Sequence, residues 1–210
     1  MSSASTLSSL PLFPLGTVLY PDGILPLRVF EVRYLDMIGK CHKAGAPFGV
    51  VSLTQGNEVQ QPKGKQVFST MGTLASLVSL DRPQPGLMMI RCSGANRFNI
   101  TTKTQLPHGL WVADVQRVDA DKAVAIPEDL QGTADALSRV IQTLQLRASS
   151  PEDVPIQQPL QLNDCGWVAN RWCELLPLPV ALKQRLMELD NPLIRLELVS
   201  DVLSRTGIAT

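Results

Sequence analysis

Leu10–Ile38, LPLFPLGTVLYPDGILPLRVFEVRYLDMI, is the stretch whose reading decides the fold, because its prolines interrupt short apolar runs before the pattern turns helical. Four of the chain's 16 prolines fall here, Pro11, Pro14, Pro21 and Pro26. Each fixes φ and removes a backbone N–H, so no helix runs from Leu10 to Pro26. Leu12, Phe13, Leu15, Val18, Leu19 and Tyr20 supply apolar surface suited to strands. Pro21-Asp22-Gly23 has the order of a turn in which Pro presets φ and Gly accepts φ > 0. The expectation is strand, turn, strand. From Glu31 the period changes: Tyr34, Leu35, Ile38 and Cys41 recur at helical spacing with Glu31, Arg33, Asp36 and Lys40 between them. A helix from about Val32 to Lys43 follows, ended by Gly45 and Pro47.

Outward from this unit, Phe48–Leu53 is an apolar run suited to a buried strand, and polar Gln55–Lys65 reads as an exposed loop. Met71–Leu80 is a further strand, closed by turn chemistry in Asp81–Gly86, and Leu87–Cys92 returns to make a hairpin. Gly94–Thr102 and Leu110–Val118 add two more strands around Pro107-His108-Gly109. Beyond Asp121 the period becomes helical. Pro127-Glu128-Asp129 opens a helix with the stripe Leu130, Ala134, Leu137, Ile141 and Leu144. Ser149–Pro159 reads as a loop. Asn163 or Asp164 can cap a helix carrying Val168, Trp172 and Leu175/Leu176 up to Pro177. Another helix carries Leu182, Leu186 and Leu189, and the last opens on Asn191 with Pro192 at its first position and runs to Gly207. Strands followed by helices argue an α+β fold, with a β-rich part over residues 1–120 and a helical bundle over residues 121–210.

With 210 residues, 44% of them hydrophobic and 18% charged, the chain can bury a sizeable core and is not disordered. Lys plus Arg and Asp plus Glu balance at 19 each, so no overall field concentrates a polyanion and nucleic acid is an unfavoured partner. MSSASTLSSL lacks a basic region, and Pro11 and Pro14 break the apolar run behind it, so it does not read as a signal peptide. No apolar run approaches the roughly 18 residues that span a bilayer. The expectation is a soluble cytoplasmic protein that does not engage membranes. Cys41, Cys92, Cys165 and Cys173 are irregularly spaced and read as reduced, mostly buried thiols.

Motifs that would announce catalysis are missing. Gly56–Lys65 contains Pro62 and ends Gly64-Lys65-Gln66, without the hydroxyl a phosphate-binding loop uses to hold Mg²⁺. His42 and His108 stand in no metal spacing, reading as a core-edge helix residue and a loop residue. No G-x-S-x-G elbow occurs. No catalytic residue, metal or cofactor is therefore expected. Asn99-Ile100-Thr101 is a chance match to a glycosylation acceptor on a strand. Trp111, Trp167 and Trp172 read as packing residues rather than a stacking cage. Arg28, Glu31 and Arg33 flank the strand-to-helix junction, where a salt-bridge network pinning the first helix is favoured over a ligand-binding cluster.

Together these residues make a recognisable pattern. PLFPLGTVLYP and LPLRVFEVRYL within the opening stretch, FGVV at Phe48, MGTLASLVSL at Met71, GANRFNI at Gly94 and WVANRWCELLPLPVALKQRLMELDNPLIRLELV at Trp167 resemble the amino-terminal, substrate-binding domain of the ATP-dependent Lon protease, in its short stand-alone form. The likeness runs from about Leu10 to Leu203, with the opening proline placement its most specific part. It departs from the usual pattern at His108-Gly109-Leu110-Trp111, where a proline-tyrosine entry to the strand is more common. The resemblance implies a PUA-like pseudo-barrel of strands with one helix, followed by a helical bundle. It implies substrate binding and no enzyme, since the ATPase and serine-lysine peptidase modules of Lon lie outside the resembling region.

The expected function is therefore non-catalytic capture of unfolded or exposed polypeptide segments, through a strand edge or a groove between the β-rich and helical parts. Leu25, Leu27, Arg28, Phe30, Glu31, Arg33 and Tyr34 are the expected binding residues. A separate protease or chaperone is the further class of partner, and an exposed strand edge would let two copies pair as a homodimer. The rival reading is RNA binding, the other role of PUA-like domains. It requires a concentrated basic face, whereas Lys63, Lys65, Arg82, Arg91, Arg97 and Lys103 are scattered.

Overall fold

The prolines of the opening stretch sit where a sheet tolerates them: Pro11 and Pro14 in the first strand, Pro26 in a strand paired along one edge, and Pro21 in the turn between. The computed structural model describes residues 5–59, 65–150 and 153–207. The chain divides between Ala120 and Asp121 into two units. The first contains β1 (Thr6–Leu15), β2 (Ile24–Val29), α1 (Val32–Ala44), β3 (Phe48–Gln55), β4 (Val67–Phe68), β5 (Met71–Gln84), β6 (Leu87–Gln105) and β7 (Trp111–Arg117).

Five of these strands close on themselves. The order β1-β7-β6-β5-β3 returns to its start because β3 also pairs with β1, the one parallel pairing among the described strands. Closure removes the exposed edges an open sheet would present. β4 is attached to β3, and β2 to β6. The 19-residue β6 serves two structures: Phe98–Gln105 lies in the barrel beside β7, while Met88–Ser93 pairs with β2 on one edge and β5 on the other. The second arrangement is a three-stranded antiparallel arm.

The expected hairpin of Met71–Leu80 with Leu87–Cys92 is longer than its turn chemistry implied. Pairing continues to Gln84 opposite Leu87, leaving Pro85-Gly86 as the turn, with Gly86 at φ 78°. Leu87–Cys92 and Gly94–Thr102 are one strand, because Ser93 and Gly94 keep their pairing with β5. The short β4 carries no periodic signal in two residues and was not expected. Loop residues 56–59 and 65 are exposed as expected, and the remainder of that loop lies outside the described residues, as does Pro151-Glu152 of the Ser149–Pro159 loop.

The turn at Pro21 is built differently from expectation. Gly23 N–H donates to the Tyr20 carbonyl at 3.0 Å, and it is Asp22, not Gly23, that takes the left-handed conformation at φ 60°. A short polar side chain tolerates that region. Gly23 instead accepts a hydrogen bond from Gly94 N–H at 2.9 Å, while Asp22 N–H donates to the Gly94 carbonyl at 2.9 Å. A Cβ on Gly94 would lie 2.0 Å from the Tyr20 carbonyl oxygen, so only glycine fits where the turn crosses β6.

Helix α1 buries Tyr34, Met37, Ile38 and Cys41 against Phe13, Val29, Phe48, Val50 and Ile90. The helical stripe read from the sequence is thus the packed face. Gly45, at φ 60°, ends the helix. A second cluster, Leu10, Leu12, Val51, Phe68, Leu74, Phe98, Ala113 and Val115, draws on β1, β3, β4, β5, β6 and β7.

The second unit contains a 3₁₀ turn (Glu128–Leu130), α2 (Gln131–Arg147), α3 (Cys165–Leu175), α4 (Val180–Glu188) and α5 (Pro192–Arg205). Asp164 caps α3, its Oδ1 accepting from Trp167 N–H at 2.8 Å, and its Oδ2 accepts from Val124 N–H at 3.0 Å. Asn191 caps α5 with Pro192 behind it, accepting from Leu193 N–H at 3.0 Å. Trp167 and Trp172 are buried as packing residues, Trp172 donating Nε1–H to the Thr133 carbonyl at 3.0 Å. Buried Arg195 holds this unit together. Its Nε donates to the Leu186 carbonyl at 2.9 Å, Nη1 to Asp121 at 2.6 Å and to Asn170 at 3.0 Å, and Nη2 to the Leu189 carbonyl. One guanidinium thus ties the end of α4 to α3 and to the entry segment.

Two outcomes follow from these contacts. Gly94→Ala forces backbone against backbone and is expected to cost about 3 kcal/mol of stability, measured by urea denaturation. Arg195→Ala strands a carboxylate, an amide and two carbonyls, and is expected to cost roughly 3–5 kcal/mol by the same measurement. A loss below about 1 kcal/mol in either variant would contradict the role assigned to that residue.

Candidate functional site

The turn from β2 into α1 turns a run of alternating residues into a corner with two kinds of surface. Leu25, Leu27 and Val29 alternate toward the core, the first two half-buried and the third fully buried. Phe30 and Val32 do the opposite, standing 56% and 73% exposed on either side of Glu31. Val32 lies off the buried stripe of α1, which is why the helix leaves it in solvent.

What holds the corner is Arg33. It is only 5% exposed and reaches across the unit, Nη1 donating to the Gly109 carbonyl at 2.7 Å and Nη2 lying 3.1 Å from Glu31 Oε2. Nη2 also reaches the Glu58 carbonyl at 3.4 Å. The guanidinium sits 4.4 Å over the ring of Tyr34, which in turn stacks on Phe13 at 4.0 Å. The Glu58 side chain accepts from Gly16 N–H at 2.6 Å, and Gln66 joins the same loop to Trp111 by accepting its Nε1–H at 3.2 Å. Trp111 also meets Phe68 edge-on at 5.3 Å, a packing role.

Tyr34 is 2% exposed, and its hydroxyl has no hydrogen-bond partner among the described residues. Burial pushes its pKa up to about 12, with Arg33 opposing and Glu31 and Glu58 adding to the rise. Burial likewise raises the thiol of Cys92 to about 12 and those of Cys41 and Cys165 upward. All four cysteines are free and buried.

Two clefts border the corner. One, of about 430 Å³, is lined by Val32, Asp36 and Lys40 of α1 with Pro11, His108 and Leu110. The other, of about 380 Å³, lies between Leu35 and the β5–β6 hairpin from Arg82 to Met88. Of the seven residues expected to bind, Phe30 and Arg28 are exposed, Glu31, Leu25 and Leu27 are half-buried, and Arg33 and Tyr34 are interior. Arg33 and Tyr34 are packed behind the corner, and Arg33 also lines the larger of the two clefts. Arg28 does not join the Arg33–Glu31 pair, since it points from the opposite side of β2 and lies across from Met89. Val32 and the hairpin tip, outside the expected set, line the two clefts, and the helical phase alone places Val32 on the outer side. His42 is exposed rather than at a core edge, and exposed His108 lines the larger cleft. Among the described residues no group of three or more His, Cys, Asp or Glu gathers to hold a metal, and no helix is long and apolar enough to cross a membrane.

This architecture has relatives. The model of the ATP-dependent protease La (LON) substrate-binding domain family matches residues 9–205. The chain belongs to this family. Lon protease 2 of Herpetosiphon aurantiacus is 26% identical over 206 residues, covering 97% of this chain and 24% of that protein. Lon protease 2 of Myxococcus xanthus is 26% identical over 204 residues, 93% of this chain and 23% of that protein. This Lon-family chain thus spans about a quarter of the length of the curated relatives it matches. Among solved structures, the Lon N-terminal domain protein from Xanthomonas campestris superposes with a TM-score of 0.69 at 29% identity, covering 93% of this chain and 98% of that one. The N-terminal domain of the Mycobacterium avium complex Lon protease shares the fold, with a TM-score of 0.60 at 18% identity. The α+β fold expected from the sequence, a strand pseudo-barrel with one helix followed by helices, is that of the Lon N-terminal domain.

Tyr34 supplies a test of the corner's interior. Its neutral form is favoured in the fold, so its contribution is complete below the unfolded value of 10.0 and is lost as pH rises toward about 12. Tyr34→Phe removes an unsatisfied buried hydroxyl and is expected to stabilise by about 1 kcal/mol at neutral pH. Urea denaturation above pH 10 should then show the variant's advantage widening; a constant difference would contradict the assigned burial.

Proposed function

We propose that this chain is a polypeptide-binding module that captures exposed apolar segments of other proteins without cleaving them. The observation that carries the reading is the pairing of solvent-exposed Phe30 and Val32 with a backbone clamped from behind by Arg33. Apolar surface on a rigid corner binds at low ordering cost, and the two bordering clefts accept side chains from an extended chain. Membership of a family described as the substrate-binding domain of a protease supports the same reading. The contact surface comprises Arg28, Phe30 and Glu31 from the expected set, with Val32 added, while Leu25 and Leu27 pack against the core on the other face of β2 and support it from beneath. Handing captured segments to a separate protease or chaperone fits such a module, and four free, buried thiols fit a reducing cytoplasm.

RNA binding is the less supported reading, because several of the basic residues it would use are not free on one face. Arg97 is buried, Lys103 lies 4.2 Å over the Phe68 ring, and Lys63 falls outside the described residues.

Titration of the full chain with a fluorescently labelled, permanently unfolded model protein should give saturable binding at micromolar concentrations. The double variant Phe30→Ser/Val32→Ser is expected to weaken that binding about tenfold while leaving the melting temperature unchanged. Absence of saturable binding in the parent chain would end this reading.

A further inference from the structure

The three-stranded arm has a solvent face whose composition differs from that of an ordinary polar sheet surface. The register aligns Pro26, Arg91 and Ser79 in one row across β2, β6 and β5, and Arg28, Met89 and Asp81 in the next. Leu25, Cys92 and Leu77 alternate to the opposite face, toward the core, so Arg28, Arg91 and Met89 share the outer one. A bulge between Leu77 and Ser79 inserts Val78, 57% exposed, next to the Arg91 row, and Met89 in the following row is 39% exposed. Among the described residues neither Arg28 nor Arg91 has an ion-pair or hydrogen-bond partner. Asp81 is the one acid in these two rows, and its Oδ1 accepts from the Arg82 N–H at 2.8 Å. The face therefore carries a net positive charge over exposed aliphatic surface, directly before Phe30.

We infer that this face selects which polypeptides the module captures: extended segments in which large apolar residues are flanked by carboxylates. The inference rests on the polypeptide-binding reading and deepens it. Arg28 and Arg91 are diagonal neighbours on adjacent strands, a spacing at which two guanidinium groups meet two carboxylates of one extended chain. Met89 and Val78 offer adaptable apolar contact for the side chain between them. A basic-apolar segment would meet like charge on the same face and be rejected.

The test uses the full chain and two short fluorescein-labelled peptides with identical apolar residues, one carrying Glu and the other Lys at the intervening positions. Fluorescence anisotropy should show the Glu peptide binding about tenfold more tightly at low salt, with the preference shrinking as salt rises. Arg28→Glu/Arg91→Glu should reverse the order, and Arg28→Gln/Arg91→Gln should abolish the preference, both with unchanged thermal melts because the side chains are not in the core. Equal affinities, or a preference indifferent to both variants, would overturn the inference; continued binding of the unfolded model protein would show that polypeptide capture itself survives. Loss of that binding as well would remove both readings. A single-stranded RNA of matched charge binding more tightly than the Glu peptide would also overturn it, assigning the arginines to polyanion recognition.

Discussion

The guanidinium of Arg33 is the constraint on which the first unit's surface depends. Burying it requires partners, and the chain supplies them to its two Nη groups from three places: Glu31 beside it, the Glu58 carbonyl in the loop after β3, and the Gly109 carbonyl at the β6–β7 turn. A buried charge without such partners would be strongly unfavourable. The same contacts therefore fix where α1 begins, and with it where Phe30 and Val32 stand. The salt-bridge reading of the Arg33–Glu31 pair and the binding reading of the corner are thus complementary: one supplies the rigid back, the other uses the exposed front.

A second constraint joins barrel and arm. Gly94 crosses the Pro21 turn so closely that no side chain fits, and its two backbone hydrogen bonds hold Asp22 and Gly23 against β6. β6 can then pass from barrel to arm without a break. Because β2 enters the arm directly from this crossing, its register places Leu25, Leu27 and Val29 inward and Arg28 outward. A slip of one residue would exchange those faces.

Much of the architecture was legible from local chemistry. Proline spacing ruled out an opening helix, the period change at Glu31 marked α1, and Asp164, Asn191 and Pro192 marked helix starts that the structure places within a residue of expectation. What escaped depends on partners distant in sequence. β4 is two residues that pair with β3, and the union of two expected strands into β6 follows from continuous pairing with β5. The positive φ falls on Asp22, while the turn's backbone pairs with Gly94 of β6, a relation invisible within the turn itself.

The candidate site divides in the same way. By itself the sequence determined that Leu25 to Tyr34 forms a strand-to-helix junction rich in apolar and charged residues, because propensity, proline geometry and helical periodicity act over a few neighbours. Only the tertiary structure decided that Arg33 and Tyr34 lie inside while Arg28, Phe30 and Val32 lie outside, and that Met89 and Val78 join them. Burial and charge pairing are set by which distant segments arrive alongside, and closure of the barrel, the Gly94 crossing and the register of the arm determine that together.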